Sequence, residues 1–424
     1  MKRHVALVTL LSLVVFTTTA WAQGLPAAKP EQVGLSSERL ERVSRALRSE
    51  IEAGKFPGAV ALVARKGQVV YFESFGVRDP ATGAPMGKDA IFRLYSMTKP
   101  FTSVAAMMLM EEGKLLLNDP VSKYLPPLGK REVSVAQFDP ATGKVVYALV
   151  PAEREITIQD LLRHTSGIVY GGFTPNPQVK DLYAKHGVDW ANVTPEEQIE
   201  RLAKVPLAHQ PGTTWEYSLS TDVLGRVVEK VSGMTLGRFF DERIFAPLKM
   251  ADTSFVVPAS KLYRLAQPLA VEPSTGQPIK LVDVTVAPKN DAGGAGSAGT
   301  TADYARFAQM LLNGGQLDGT RLLSPTTVAF MTSDHLGPMK IVSRGGVGEG
   351  YGFGLGFAVR TTAGIAPVSG SVGEYRWGGA AGTAFWVDPK DQMVTVLMTQ
   401  GAPGPARGPT RDLFRQMVRQ AIID

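Results

Sequence analysis

Apolar positions along the chain repeat with two different periods, and the alternation between them predicts its elements. Leu40, Val43, Leu47 and Ile51 keep a helical spacing behind Leu35-Ser36-Ser37-Glu38 and ahead of Gly54, so a helix runs between those start and stop signals. Two β-rich runs follow, 59–64 and 68–75, split by Arg65-Lys66-Gly67, which reads as a hairpin. Phe101, Val104, Ala105, Met108 and Leu109 restore the helical period in a helix that ends near Gly113. A second, small hairpin is expected over 138–147. From Ile156 the chain turns helical, then enters a Gly/Pro-rich loop over 167–177. Helical patterns recur over 196–204, 221–232 and 236–244, before an irregular Pro/Gly-rich stretch at 258–299. A helix over 302–312 leads to strand-like runs at 352–360, 384–387 and 393–399, and a closing helix is expected at 411–423.

Strands and helices alternate at both ends, while the middle is mostly helical. That order predicts an α/β (α+β) chain: an antiparallel sheet flanked by the terminal helices, carrying a mostly helical insertion. The expected division is an α/β domain from 31–105 and 296–424, with a mostly helical domain over 106–295. No internal repeat or low-complexity segment interrupts it.

Composition removes several function classes. A chain of 424 residues, 44% hydrophobic and 20% charged, has the make-up of an ordinary globular protein with room for a large core. Its formal charge of +6 is spread without a basic block, which argues against a nucleic-acid partner. Cysteine is absent, so thiol nucleophiles, disulfides and thiolate metal sites are excluded together. The five histidines include no pair at metal-ligand spacing, and no metal or other cofactor is expected.

The N-terminus reads as an address. Lys2-Arg3-His4 precedes an apolar run from Val5 to Phe16, and Ala20-Trp21-Ala22 gives an A-x-A cleavage pattern before Gln23. The apolar run is shorter than the roughly 20 residues of a membrane span. Segment 1–22 is therefore expected to be a signal peptide cleaved after Ala22. The mature protein would be periplasmic or secreted, with no stable membrane anchor. Nothing in the sequence specifies an oligomeric state.

Candidate chemistry centres on Leu94-Tyr95-Ser96-Met97-Thr98-Lys99-Pro100-Phe101. Residues three apart share a helix face, so the Ser96 hydroxyl and the Lys99 amine can meet. Pro100 belongs in a first helical turn, which places Ser96 at or beside a helix N-terminus. Unpaired N–H groups gather there and suit a developing oxyanion. A hydroxyl needs a neighbouring base, and an unprotonated lysine serves if burial or nearby cations lower its pKa from about 10.4. A Ser-x-x-Lys falls by chance about once in a chain of this size, so the spacing alone does not make a site. Tyr217 lies in a loop just before a helix and is a second candidate base; alone, it reads more readily as a packing tyrosine with its hydroxyl bonded to backbone. The stretch Gly373 to Pro389 concentrates small residues where a strand edge would meet a substrate or another backbone. An N–H beside Gly379 would pair with that of Ser96 as an oxyanion hole.

Taken together these segments resemble the serine β-lactamase and penicillin-binding superfamily, and most closely its class C-like branch, the family VIII carboxylesterases. Ser96-Met97-Thr98-Lys99 matches the S-x-x-K motif, and Leu161-Leu162-Arg163-His164-Thr165-Ser166-Gly167 matches L-L-x-H-T-S-G. Pro211-Gly212 through Tyr217-Ser218 matches P-G-x-x-x-x-Y-S; Gly293-Gly294-Ala295-Gly296-Ser297 with Asp303-Tyr304 follows the G-G-x-x-S segment loosely. Two departures point one way. Tyr217-Ser218-Leu219 stands where a class C β-lactamase has Y-x-N, and Trp377-Gly378-Gly379 stands where it has K-T-G. The strand lysine that would bind a lactam's carboxylate is replaced by an indole, the W-G-G variant of the esterases.

The resemblance implies a β-lactamase/transpeptidase-like fold and hydrolysis of small, short-chain carboxylic esters through an acyl-enzyme on Ser96. Lys99 and Tyr217 would be general base and acid, and Ser96 and Ala380 N–H groups the oxyanion donors. Trp377, Gly378, Gly379, Ala380 and Arg376 would line the substrate, and His164 would be structural. The alternative from the same superfamily is a class C-type β-lactamase or D,D-peptidase/amidase. An α/β-hydrolase needs a Gly-x-Ser-x-Gly elbow that the chain lacks. A non-catalytic module of the same fold would not need Ser96, Lys99 and Tyr217 intact. The loops 170–185 and 258–291 would set acyl-chain and alcohol preference.

Overall fold

The computed structural model of the chain describes residues 24–342, 347–402 and 407–424. The segment 1–22, expected to be an export signal, lies outside them. Among the described residues no helix is long and apolar enough to cross a membrane.

Among the described residues the largest sheet has eight strands, all antiparallel to their neighbours. Its spatial order is Tyr351–Phe353, Ala358–Arg360, Tyr375–Gly378, Ala384–Asp388, Met393–Thr399, Gly58–Arg65, Gln68–Asp79 and Ala84–Pro85. The beginning of the chain therefore joins its end, with Ala59 opposite Thr399 and Arg65 opposite Met393. The first hairpin turns at Lys66 and Gly67, both at positive φ (53° and 76°), the backbone a tight two-residue turn demands.

Gly58–Arg65 is buried along its whole length because both faces of the sheet are covered. Val60, Leu62 and Ala64 enter the main core, while Ala59, Ala61 and Val63 face the other way, as the two-residue period requires. The second face meets Leu40, Val43 and Leu47 of the first helix, Ser37–Glu52, and Phe414 and Val418 of the closing helix, Gly408–Arg419. Arg415 and Arg419 tie that closing helix to the sheet through Glu374, and Arg419 also reaches Asp388 and Asp391.

Behind the other face runs the helix Lys99–Glu111, buried from Lys99 to Leu109 and apolar nearly all round, as a central helix must be. Phe101 anchors it by edge contacts with Phe307 and Phe245, at ring-centre distances of 4.6 and 5.0 Å. Three local expectations are revised. The run 352–360 is two strands, broken at Gly354-Leu355-Gly356 where Gly356 takes φ 105°. The small hairpin is longer, Glu132–Asp139 with Lys144–Pro151. The stretch 170–185 holds a helix, Pro177–Lys185, capped by the Asn176 side chain, which accepts the Val179 N–H.

Candidate active site

Ser96 sits in a short 3-10 turn, Tyr95–Thr98, that feeds directly into Lys99–Glu111 with Pro100 in its first turn. The strand Ile91–Arg93 leads into this turn and pairs with Ala298–Thr300. Tyr95 takes φ 48°, a left-handed backbone that non-glycine residues adopt rarely and only when their surroundings enforce it. The enforcement is visible: the Tyr95 phenol oxygen accepts the Val282 N–H at 2.9 Å, and its ring meets Trp190 edge-on. Thr98 Oγ1 and Ser297 Oγ share a hydrogen bond of 2.7 Å, Thr102 Oγ1 donates to Gly293 O, and Tyr304 Oη donates to Met97 O. The serine is thus presented by a turn fixed from several sides.

The structure brings Ser96, Lys99 and Tyr217 together. Tyr217 Oη donates to Ser96 Oγ at 2.7 Å, and Lys99 Nζ reaches the same oxygen at 3.5 Å. Lys99 is 1% exposed and donates to Gly294 O at 2.7 Å and Tyr170 Oη at 3.0 Å. It also lies 4.8 Å from the centre of the Tyr217 ring, so its charge faces the π-cloud of its partner. Tyr170 was not singled out by sequence; it lies in the Gly-rich loop after His164. Burial first, then Asp222 and Tyr217, holds its phenol well above the ordinary range, so it is a neutral partner for the amine.

His164 stays off the nucleophile. Its ring stands edge-on to Tyr217 at 5.0 Å and its Nδ1 shares a 3.0 Å hydrogen bond with Ser218 Oγ. Complete burial, with the Lys99 charge adding, pushes the imidazole well below its usual range and leaves it neutral. The corner before it is set by Asp160, which accepts from Arg154, Arg163, Thr157 and Thr165. Burial raises such a carboxyl, but these donors, led by Arg154, hold it below the ordinary range.

The paired glycines of the late motif act through their backbone. Asp222 Oδ1 accepts the Gly294 N–H at 3.0 Å, while the carbonyl of the same glycine takes Lys99. Asp222 Oδ2 finds no partner among the described residues, and a side chain on Gly294 would run into this carboxylate. Burial raises the Asp222 carboxyl, and the Lys99 charge opposes that rise.

On the opposite wall, Arg376, Trp377, Gly378, Gly379 and Ala380 line a cavity of about 760 Å³ that also holds Ser96 and Tyr217. A Cβ on Gly379 would collide with Leu94 O, so only glycine lets this strand approach the Ser96 turn. No acceptor among the described residues takes the Ser96 or Ala380 N–H. Trp377 packs on Tyr217 with ring centres 5.2 Å apart. At the mouth Phe173 is 80% exposed and faces a cavity it shares with Ile365. Among the described residues no three His, Asp or Glu side chains gather as metal ligands would.

The chain is similar to known proteins over most of its length. A family model described as Beta-lactamase matches residues 43–418. Protein Rv1367c of Mycobacterium tuberculosis (strain ATCC 25618 / H37Rv) is 37% identical over 369 residues, covering 84% of this chain and 89% of its own. Esterase EstB of Burkholderia gladioli is 32% identical over 379 residues, covering 85% and 90%. Among solved structures, EstCE1, described as a hydrolase with promiscuous acyltransferase activity, superposes with a TM-score of 0.74 at 29% identity, over 90% of this chain and 98% of its own.

Proposed function

The chain belongs to the beta-lactamase family, and from that premise we propose that it is a serine hydrolase cleaving short-chain carboxylic esters through an acyl-enzyme on Ser96. The observation that carries this reading is the 2.7 Å hydrogen bond between Tyr217 Oη and Ser96 Oγ, with Lys99 behind it. Ser96 Oγ attacks the ester carbonyl, and its proton passes to the Tyr217–Lys99 pair, which returns it to the leaving alkoxide. The Ser96 and Ala380 N–H groups receive the oxyanion; one such donor is worth about 10²–10³ in kcat. Water then releases the acid by the reverse proton path. Tyr170 and Gly294 O hold the lysine amine in place for both steps.

Trp377 in place of the lactamase lysine, and the esterase among the relatives, favour esters over lactams. Turnover of p-nitrophenyl butyrate against nitrocefin by the purified protein tests this. The expected outcome is butyrate as much the better substrate by kcat/KM. Nitrocefin as the better substrate would support a class C-type β-lactamase instead.

A further inference from the structure

Trp377 removes a lysine from the strand that faces Ser96, and in sequence that exchange reads as a cavity stripped of its cation. The fold returns positive charge from elsewhere. Arg376, on the same strand, and Arg411, on the closing helix, both line the cavity that holds Ser96. The Arg411 guanidinium rests on the strand itself: a Cβ on Gly378 would lie 3.0 Å from its Cζ. One of its nitrogens donates to Gly379 O and Thr383 O.

Neither guanidinium has a carboxylate within 4.0 Å, whereas Arg415, in the same wall, is held by Glu374, and nearby Arg407 by Glu272. All Asp and Glu residues of the chain fall among the described residues, so none is missing from that comparison. Arg376 bonds Val347 O and lies 4.5 Å from the Tyr351 ring centre, which compensates its charge only partly. Nε of both arginines is buried without an acceptor. Burial first, then the charges of Arg376 and Arg407, pulls Arg411 down to about 10. The acids that reach this cavity without a partner, Glu349 and Asp412, are exposed.

Two guanidiniums without a carboxylate, in a cavity beside a nucleophile, favour an anion that takes charge-assisted hydrogen bonds from their remaining N–H groups. We infer that the substrate is an ester bearing a free carboxylate on its acyl or alcohol part, seated against Arg376 and Arg411 while its ester carbonyl faces Ser96. This rests on Ser96 as the nucleophile. It changes the substrate class: the cavity selects acidic esters, with the apolar Trp377 surface covering the chain between carbonyl and carboxylate.

The test compares kcat/KM within two matched pairs, monophenyl adipate with phenyl hexanoate and 4-carboxyphenyl butyrate with phenyl butyrate. These are measured on the wild type, Arg376→Gln and Arg411→Gln, at about 20 and about 500 mM salt. One acidic ester is expected to exceed its neutral partner by about tenfold or more. That ratio should fall towards one at high salt and in at least one variant. Preference for neither acidic ester, or a preference that survives both variants and salt, overturns the inference. The salt dependence of the wild type and Arg376→Gln keep the test decisive if Arg411→Gln fails to fold. Turnover of the neutral esters, abolished by Ser96→Ala, checks the nucleophile separately, so loss of the acidic preference alone sinks the carboxylate site and leaves Ser96 standing.

Discussion

Tyr217 Oη lies 2.7 Å from Ser96 Oγ, closer than the Lys99 amine at 3.5 Å. The phenol is therefore the group in direct contact with the hydroxyl, and the lysine stands behind both. Tyr217→Phe keeps the ring packed on His164, Trp215 and Trp377. Its kcat is expected to drop by about 10²–10⁴ while the melting temperature holds. A variant within about threefold of wild type would remove Tyr217 from the proton path.

Lys99 Nζ has three oxygens within hydrogen-bond distance: Ser96 Oγ, Tyr170 Oη and Gly294 O. Tyr170→Phe deletes one acceptor and leaves the amine less fixed. We expect kcat to fall by about tenfold with KM nearly unchanged, the pattern of a lost transition-state contact. Unchanged kcat would make Tyr170 a packing residue only.

Gly294 is pressed between Asp222 and the lysine it positions. Gly294→Ala should collide with the Asp222 carboxylate, destabilising the fold by about 1–3 kcal/mol, and displace the carbonyl that holds Lys99. Adding Asp222→Ala relieves the collision, so the double variant should be more stable than the two single losses sum to. Urea unfolding of the four proteins measures the coupling, expected at about 0.5–3 kcal/mol. Additive losses would show that the two residues do not press on each other.

Much of the frame was legible because its signals are local. The first hairpin shows in its period and its Lys66-Gly67 turn, and the nucleophile helix in Ser96, Lys99 and Pro100. Tyr170 was not legible: it lies in a Gly-rich loop without periodicity, and only the folded chain brings it onto Lys99. The helix Pro177–Lys185 carried Asn176 and Pro177 as start signals, but so few apolar positions follow that neighbouring Gly and Pro masked it. Arg411 shows the same limit at long range. The helical period of 411–423 was readable, yet which side chain would lie on Gly378 depends on how that helix crosses the sheet.

Asp303 gives a pH test of stability. Burial pushes its carboxyl up to about 6, against hydrogen bonds from Asp252 N–H and Thr253 Oγ1 at 2.8 Å each. A folded-state value above the unfolded one means that the folded chain holds the proton longer. Below about pH 3.8 both states are protonated; as pH rises to about 6, the unfolded state ionises first and stability is lost, by at most about 3 kcal/mol. Asp303→Asn keeps an acceptor and cannot ionise. Measured by urea unfolding at pH 4 and 7.5, wild-type stability minus that of Asp303→Asn should fall at the higher pH. A difference that stays flat or rises would contradict the burial effect.

The most direct consequence of the proposed chemistry is a covalent bond to one hydroxyl. Wild-type protein treated with a fluorophosphonate probe should gain one adduct by intact mass, mapped to the peptide carrying Ser96. Ser96→Ala should gain none and lose at least about 10³-fold in kcat/KM for p-nitrophenyl butyrate. An adduct on another residue, or a Ser96→Ala variant within about tenfold of wild-type activity, would contradict it.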